Sequence, residues 1–249
     1  MFALITGASS GIGRAMAFEL AKKNYSLILV ARRESELKQI KAKIEESNKV
    51  EVIIKVMDVS SVKNCEKLHE ETQTYQPEII INNAGFGQVG RFDEIDLGIE
   101  LKMIETNIIA VHTLTKLFVR SMKKGIILNV ASIAGMLPTP LMASYSASKA
   151  YVLNFSRAIN CELRKSRSPI KVLTLNPGPV VTEFGKVANT KQKMQGMSAD
   201  KCAKIAIRDM LAGKKVIVPG VMMKITRFFL KLLPVSWIMP FAYRIQNRK

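Results

Sequence analysis

Short apolar runs alternate with longer amphipathic stretches along almost the whole chain. The runs are rich in Ile, Val and Leu and are bounded by Gly, Asn, Asp or Pro, which is typical of buried parallel strands. They cover residues 2–6, 26–31, 51–56, 78–82, 125–131, 170–176 and 215–219. The stretches between them carry apolar residues at helical spacing, over 11–23, 33–47, 61–75, 97–121, 145–166 and 198–212. The pattern predicts an α/β fold in which one parallel sheet is doubly wound, with helices on both faces.

The pattern also predicts one main domain followed by a short extension. The 249 residues are enough to bury a substantial core, and 48% hydrophobic with 23% charged residues is ordinary globular composition. No internal repeat, low-complexity linker or shift in composition occurs before about residue 213. No apolar stretch reaches the roughly 18 to 20 residues that a membrane-spanning helix needs. We therefore expect a main domain at 1–220 and an extension at 221–249.

A glycine-rich turn follows the first predicted strand at once, and a helical segment follows the turn. It contains the candidate phosphate-binding residues Gly7, Ser9, Ser10, Gly11, Ile12 and Gly13. In a Rossmann unit, glycines at this point let the backbone approach a pyrophosphate, whose charge is met by the helix N-terminus. A tight turn between strand and helix is the plain alternative. A second strand about 20 residues further on favours the dinucleotide-binding interpretation.

The residues after the second strand indicate which dinucleotide is preferred. Where a fold that prefers NAD tends to place an acid for the ribose 2′-hydroxyl, this chain has Arg32 and Arg33. A carboxylate would repel a 2′-phosphate, whereas an arginine binds it through paired, charge-assisted hydrogen bonds. Arg33 has a second interpretation, as the opening residue of an exposed helix. The sequence favours NADP(H) over NAD.

Three polar residues follow later strands, where side chains reach the carboxyl edge of a parallel sheet. Ser132 comes after the strand at 125–131, and Tyr145 and Lys149 open the next helix. Because Tyr145 and Lys149 are four residues apart, they share one helix face. Singly, Ser132 is an ordinary hydroxyl at a strand end and Lys149 an ordinary surface lysine. Together, in this order and after the glycine turn, they indicate a catalytic group in the usual binding crevice.

The chemistry of these three residue types suits proton transfer to an oxygen atom. A phenol has a reference pKa of about 10, and a neighbouring ammonium and an oxidised nicotinamide ring would both favour its phenolate form. Tyr145 would then donate a proton to a carbonyl oxygen, or accept one from an alcohol. Ser132 would stabilise charge that develops on the same oxygen. Lys149 would also hold the nicotinamide ribose.

With these motifs in this order, the sequence resembles the short-chain dehydrogenase/reductase (SDR) family over about residues 2–220. The markers are the turn Thr6-Gly7-x-x-x-Gly11-x-Gly13, then Asp58-Val59, Asn82-Asn83-Ala84-Gly85, Asn107, Ser132, Tyr145, Lys149, Pro177-Gly178 and Thr182. The resemblance implies a single Rossmann-type sheet with strand order 3-2-1-4-5-6-7. It also implies that 1–220 is an NADP-binding catalytic domain.

The resemblance implies roles for residues that the pattern alone leaves ordinary. Asn107 would complete a catalytic tetrad with Ser132, Tyr145 and Lys149, by kinking its helix and positioning a water that links Lys149 to solvent. Besides Tyr145 and Lys149, the further cofactor contacts would be Asp58, Val59, Asn83, Ala84, Gly85, Pro177, Gly178 and Thr182. The first two would contact adenine, the next three would flank the adenosine ribose, and the last three would secure the nicotinamide carboxamide.

The net charge of +18 is the unusual bulk property, and it is uneven. After Asp209 there is no further Asp or Glu, whereas Lys and Arg recur up to the C-terminus. Such charge attracts phosphorylated cofactors, acidic carriers, anionic lipid or nucleic acid without choosing among them, and a lysine-rich solvated surface is the plain alternative. No motif that reads nucleic acid accompanies the charge, so we expect no specific nucleic-acid partner.

The cysteines and the N-terminus favour a cytoplasmic location. The three cysteines are scattered without CxxC spacing, which suits reduced thiols. The first motif begins at once, with no basic segment of the kind that opens a secretory signal. His69 and His112 are too few and too isolated to indicate a metal centre, so no metal is expected.

The extension at 221–249 departs from the family pattern. Helical spacing over Val221–Leu233 places Lys224, Arg227 and Lys231 on one face, and Pro234 ends the helix. The residues largely opposite are Ile225, Phe228, Phe229, Leu232 and Leu233. Residues 235–243 are apolar and aromatic, with a proline among them. Three roles remain open for the extension: a lid over the cleft, a dimer face, or contact with an anionic membrane surface. In the last case the protein would be peripheral at a membrane.

These features predict an NADP(H)-dependent oxidoreductase that moves a hydride between the nicotinamide and a carbonyl or alcohol carbon. The segment 180–198 should lie over the active site, and its Phe184, Val187, Met194 and Met197 favour a small apolar substrate. A 3-oxoacyl thioester is the alternative substrate class. We expect a homodimer or another homo-oligomer. The alternative function is a dinucleotide-sensing or membrane-attached interaction protein, against which the intact tetrad argues.

Overall fold

The computed structural model describes residues 1–188, 196–232 and 234–247. The strands in these ranges are β1 (Phe2–Thr6), β2 (Ser26–Ala31), β3 (Val52–Val56), β4 (Ile79–Asn82), β5 (Gly125–Val130), β6 (Ile170–Leu175), β7 (Val180–Val181), β8 (Met197–Ser198) and β9 (Val216–Ile217). Seven of them form a parallel sheet in the order β3-β2-β1-β4-β5-β6-β9. The predicted fold and strand order are confirmed, since β9 is the strand that the sequence counted as the seventh.

Helices connect the strands and cover both faces of the sheet. They are α1 (Gly11–Ala21), α2 (Glu34–Ser47), α3 (Val62–Thr72), α4 (Leu97–Ile104), α5 (Ala110–Ser121), α6 (Ala143–Lys165), α7 (Phe184–Val187), α8 (Ala199–Leu211), α9 (Val221–Leu232) and α10 (Val235–Asn247). Side-chain oxygens cap three of them, because Ser61, Asp96 and Ser198 accept hydrogen bonds from backbone N–H groups three residues on. These caps begin α3, α4 and α8.

The central strands are buried on both sides, which explains their nearly continuous apolar sequences. Successive residues of a strand point to opposite faces of the sheet. Leu4 of β1 therefore packs in the cluster that contains Phe118 of α5. Its neighbour Ile5 packs in the opposite cluster, with Leu20 of α1. The two cores hold the sheet between its helix layers.

Three details of the main domain differ from the expected elements. The last strand contains only two residues, because Pro219 closely follows it and a proline cannot donate to the ladder. The stretch 97–121 is interrupted by a π turn at Glu105–Ile109, between α4 and α5. The strands β7 and β8 pair with each other and bring together the two ends of the segment between them.

The extension contains two helices, of which the sequence predicted one. The first is α9, which agrees with the predicted helix, although Leu233 lies outside the described residues. The second is α10, whose Pro240 lies inside the helix and made the sequence read as interrupted. In the described part of the chain, no helix is both long and apolar enough to cross a membrane.

Candidate active site

A cleft of about 680 Å³ lies at the carboxyl ends of the parallel strands. All the site residues predicted from the sequence line it except Gly13 and Asn107. The predicted residues in its walls are Gly7, Ser9, Ser10, Gly11, Ile12, Arg32, Arg33, Asp58, Val59, Asn83, Ala84, Gly85, Ser132, Tyr145, Lys149, Pro177, Gly178 and Thr182. These residues are far apart in sequence, and they meet because the strands that carry them end at one edge of the sheet.

The glycine turn is held tightly against the segment after β4. Gly7 and Gly11 have φ angles of +65° and +54°, which favour glycine. The Asn83 side-chain amide donates to the carbonyl oxygens of Thr6 and Gly7 at 3.0 and 3.1 Å. Gly13 lies beneath the turn, where an added Cβ would be 2.4 Å from both Asn83 Nδ2 and Gly7 O. The outer side of the turn faces the cleft. It suits a pyrophosphate, because the glycines let the phosphate oxygens come close to the backbone.

Arg33 joins three separate segments at the mouth of the cleft. Its Nη2 donates to Ser9 Oγ at 3.2 Å, in the glycine turn. The same atom donates to Glu183 Oε2 at 3.0 Å, in the segment after β7. The side chains of Arg33 and Glu183 are both about half exposed. Arg33 therefore stands beside the phosphate-binding turn with its cationic group accessible from solvent.

Asp58, after β3, carries the acidic charge that faces Arg32. Its Oδ2 lies 3.9 Å from Arg32 Nη1 and 3.6 Å from Lys102 Nζ, and its Oδ1 accepts hydrogen bonds from the N–H and hydroxyl of Ser60. Burial raises the pKa of Asp58, but the Ser60 hydrogen bonds and the two cations outweigh it, so the pKa is lowered. Asp58 is ionised at neutral pH and faces two positive charges.

A buried hydrogen-bond network joins the ends of β4 and β5 to α6. Asn82 Nδ2 donates to Asn129 Oδ1 at 2.8 Å, and Asn129 Nδ2 donates to Ser156 Oγ at 2.8 Å. Thr115 of α5 also bonds to both asparagines. All four side chains are buried. The network fixes α6 against β5 and so sets the position of Tyr145 near the start of that helix.

Ser132, Tyr145 and Lys149 meet in one buried corner of the cleft. The Ser132 side chain lies close enough to the Tyr145 hydroxyl to favour its ionised form. Ser132 Oγ also accepts from the Ala134 N–H at 3.1 Å, which orients it. Lys149 Nζ donates to the Val130 carbonyl at 2.9 Å and lies 5.9 Å from the centre of the Tyr145 ring. The three residues that the sequence grouped are therefore neighbours in space.

Burial dominates the acid–base state of this corner. It raises the pKa of Tyr145 to about 12, and the neighbouring Ser132 side chain offsets this only in part. Burial also lowers the pKa of Lys149 to about 8. The sequence favoured the phenolate form of Tyr145, whereas in the protein alone the phenol keeps its proton. The reason is desolvation, which sequence spacing does not reveal.

Asn107 lies behind the cleft wall, in the π turn between α4 and α5. Its Oδ1 accepts from the Phe86 N–H at 3.1 Å, and its Nδ2 donates to the Phe86 carbonyl at 2.9 Å and to Ser148 Oγ at 3.0 Å. The side chain is fully buried. A Cβ added to Gly85 would be 2.7 Å from Asn107 Oδ1. Asn107 thus ties α6 to the segment after β4 and requires glycine beside it.

The segment after β6 closes another side of the cleft. Thr182 Oγ1 accepts from the Phe184 N–H at 3.2 Å, and the Phe184 ring lies 5.4 Å from the ring of Tyr145. Pro177 and Gly178 lead into this segment from the strand end. Of the other apolar residues predicted here, Met194 lies outside the described residues, the side chain of Val187 is not described, and Met197 belongs to β8 and does not line the cleft.

Some cleft residues were missed by sequence reasoning. Phe86 and Met142 pack with Tyr145 and Phe184 in a small apolar cluster. The extension adds Thr226, Ile238, Phe241, Ala242 and Gln246 to the cleft lining. The spacing of 238, 242 and 246 places three of these on one face of α10, which is the only signal the sequence offered. A lid was one of the roles that the sequence left open for this segment.

Comparison with known proteins connects the chain to one family. A family model described as short chain dehydrogenase matches residues 1–193. The very-long-chain 3-oxoacyl-CoA reductase of Mus musculus is 31% identical over an alignment of 257 positions. The alignment covers 99% of this chain and 81% of the mouse protein. The protein of that name from Anas platyrhynchos is 36% identical over 196 residues, 75% of this chain and 62% of the duck protein. The chain therefore spans less than two thirds of the duck protein's length.

A solved structure is similar over most of the chain. It is a short-chain dehydrogenase from Sphingobium yanoikuyae in complex with NADPH. It superposes with a TM-score of 0.82 at 30% sequence identity, over 88% of each chain.

Proposed function

This chain belongs to the short-chain dehydrogenase family, and we propose that it reduces the carbonyl group of an apolar substrate with NADPH, Tyr145 donating the proton. Family membership makes it an oxidoreductase that uses a nicotinamide dinucleotide and acts on C=O or CH–OH groups. The proposal adds the roles of individual residues, the choice of NADP(H) over NAD and the chemical class of the substrate.

The single observation that carries the proposal is the buried corner formed by Tyr145, Ser132 and Lys149. Two adjacent hydroxyl groups can donate hydrogen bonds to one substrate oxygen, which is the atom that gains negative charge in carbonyl reduction. The apolar ring of Phe184 packs on Tyr145. This packing limits access of water, so that the hydrogen bonds act in a medium of low dielectric.

Each of these side chains has a definite task in the proposed reaction. The nicotinamide cofactor supplies the hydride when it is bound. Tyr145, which keeps its proton because its pKa is raised to about 12, transfers that proton to the carbonyl oxygen. Ser132 donates a hydrogen bond to the same oxygen and stabilises the charge developing there. Lys149 holds the nicotinamide ribose, and Asn107 keeps α6 in place beside it.

The mouth of the cleft supports NADP(H) as the cofactor. Arg32 and Arg33 place two cationic groups beside the glycine turn, where a 2′-phosphate needs positive charge. The carboxylate of Asp58 already faces Arg32 and Lys102, which reduces its repulsion of a phosphate. The balance of charge at the cleft mouth therefore favours a phosphorylated ribose over a free 2′-hydroxyl.

The composition of the cleft supports an apolar substrate. Phe86, Met142 and Phe184 surround the reacting corner, and Ile238 and Phe241 add apolar surface from α10. Because the chain is similar to very-long-chain 3-oxoacyl-CoA reductases, a 3-oxoacyl thioester is the second candidate substrate class. The net charge of +18 suits the phosphates that such a thioester carries on its carrier group.

The experiment that tests this function is a substrate screen with NADPH and NADH in parallel. Ketones, aldehydes and 3-oxoacyl thioesters are offered to the full chain, and consumption of the reduced nicotinamide is followed. We expect turnover with NADPH, weakened by Arg33→Ala but not by Arg157→Ala, which removes an exposed arginine of α6. Equal affinity for the two cofactors would overturn the choice of NADP(H). Cofactor binding without any turnover would favour the dinucleotide-sensing alternative.

We also propose that the chain assembles as a homodimer or another homo-oligomer. Exposed apolar side chains on α4, among them Leu97 and Leu101, support an interface there. Light scattering of the purified chain at several dilutions measures the mass in solution. A monomeric mass at every dilution would contradict the proposal.

A further inference from the structure

We propose that α9 and α10 dock on an anionic lipid surface through one apolar side, the outer face, while their opposite sides roof the cleft. The outer face consists of Val221, Met222, Ile225, Phe228, Phe229, Trp237 and Tyr243. Because docking needs no catalytic step, it stands or falls independently of the proposed reductase activity.

The outer face is an unusual concentration of exposed apolar surface. Nearly half of the large hydrophobic side chains exposed in the described residues belong to these two short helices. Trp237 is 73% exposed and Phe228 is 62% exposed. The rings of Phe228 and Phe229 contact each other, 5.8 Å between centres, while both remain exposed. Exposed apolar side chains concentrated on one part of a protein in this way mark a binding surface.

The other sides of the two helices are already in use. A Cβ added to Gly178 would be 2.4 Å from Met223 Sδ, so α9 lies directly on the strand-end segment of the cleft. Thr226 of α9 and Ile238 and Gln246 of α10 line the cleft. Rotating either helix to bury the outer face would therefore uncover the cleft. The outer face remains available while the helices stay in place.

The charges of the extension identify an anionic lipid surface as the occupant. No Asp or Glu occurs after residue 209, while Lys and Arg continue to residue 249. Lys224 and Arg244 are exposed on α9 and α10. Basic helices whose apolar face carries Trp and Phe lie in the interface of anionic membranes. A second copy of the chain fits less well, because a symmetric contact would bring two acid-free, basic segments together.

Trp237 makes docking directly measurable, because it is the single tryptophan of the chain. The full chain is titrated with vesicles of phosphatidylglycerol and phosphatidylcholine, and separately with phosphatidylcholine alone. We expect the Trp237 emission to shift to shorter wavelength and to become protected from acrylamide on the anionic vesicles. The partition constant should fall as salt is raised, since salt screens the attraction.

Matched variants separate docking from general stickiness. Phe228→Ser should weaken partitioning about tenfold, since it removes one large apolar group from the contact. Phe92→Ser removes a phenylalanine that is 70% exposed outside the extension, and it should leave partitioning unchanged. The double variant Lys224→Glu and Arg244→Glu should weaken partitioning. Its control is Lys23→Glu with Lys49→Glu, which makes the same charge change at exposed positions near the opposite edge of the sheet. The control should leave partitioning unchanged. Melting temperature and NADPH affinity report whether each variant is folded.

Three outcomes would overturn the proposal. The first is unchanged Trp237 emission on anionic vesicles. The second is a blue-shifted emission without lipid that depends on protein concentration, which would assign the outer face to self-association. The third is partitioning that Phe228→Ser and Phe92→Ser reduce equally, which would show that the outer face is not the contact.

Discussion

The guanidinium of Arg33 and the carboxylate of Glu183 lie 3.0 Å apart and join the end of β2 to the segment after β7 across the mouth of the cleft. Arg33 also donates to Ser9 in the glycine turn. Arg33 is the residue proposed to bind a 2′-phosphate, so Glu183 presents a negative charge to the same space. Binding of NADP(H) must therefore compete with this ion pair, whereas binding of NAD(H) need not.

The first prediction concerns cofactor selectivity. Glu183→Gln should strengthen NADPH binding by roughly twofold to fivefold, because it removes a carboxylate that competes with the 2′-phosphate for Arg33 in an exposed ion pair. NADH affinity should stay the same, since NADH has no 2′-phosphate. Equilibrium titration with both cofactors measures the effect. Glu19→Gln, which removes the carboxylate paired with the exposed Lys22, is the control and should change neither affinity. Equal gains for NADPH and NADH would contradict the competition.

The second prediction concerns the pH dependence of cofactor use. Burial lowers the pKa of Lys149 to about 8, so its ammonium is present below that pH and is lost as pH rises through it. The value of kcat/KM for NADPH should therefore fall above about pH 8, because it reports groups of the free enzyme. Tyr145, with a pKa of about 12, stays protonated over this range, so it adds no limb, that is, no second rise or fall, to the pH profile. A flat profile across the Lys149 pKa would be incompatible with the role assigned to Lys149.

A pair of variants assigns this limb to Lys149. Lys149→Arg keeps its charge throughout the range and should remove the limb, even if its turnover is reduced. Lys165→Arg, at the end of the same helix, should keep the limb of the parent protein.

The third prediction concerns the support behind the site. Asn107→Leu should lower the free energy of unfolding by about 2 to 4 kcal/mol, because it leaves the partly buried N–H and carbonyl of Phe86 without their side-chain partner. NADPH binding should weaken as well, since Phe86 lines the cleft. Urea unfolding and cofactor titration measure both effects. Asn48→Leu, whose amide donates to the Ile44 carbonyl at the end of α2, should cost less than about 1 kcal/mol. A loss no larger for Asn107→Leu than for Asn48→Leu would remove Asn107 from this role.

The fold was predictable because most of its strands are buried on both faces. The apolar runs at 2–6 and 26–31 coincide with β1 and β2, and the glycine turn marks where the first strand ends. The last strand was harder to delimit, since only Val216 and Ile217 pair with β6. The helix α10 was not predicted, because Pro240 lies within it and a proline is normally taken to interrupt a helix. The cleft-lining residues 238, 242 and 246 nevertheless recur every four residues, which is helical spacing.

The candidate site was predictable in its members but not in its electrostatics. Motif order grouped Ser132, Tyr145 and Lys149, because parallel strands end at a common edge. The protonated state of Tyr145 depends on desolvation, which many distant residues produce together. The contact of Arg33 with Glu183 joins residues 150 positions apart, and no periodicity encodes it.

The central claim is that Tyr145 gives its proton to the substrate oxygen, and one comparison of variants tests it. Tyr145→Phe removes only the hydroxyl, while Tyr151→Phe removes the hydroxyl that bonds to His112 Nδ1 at 2.7 Å, further along the same helix. Turnover with NADPH and the best substrate of the screen is measured for both, together with NADPH affinity. We predict that Tyr145→Phe lowers kcat at least about 100-fold with NADPH affinity retained, and that Tyr151→Phe leaves kcat unchanged. Full turnover by Tyr145→Phe would contradict the account.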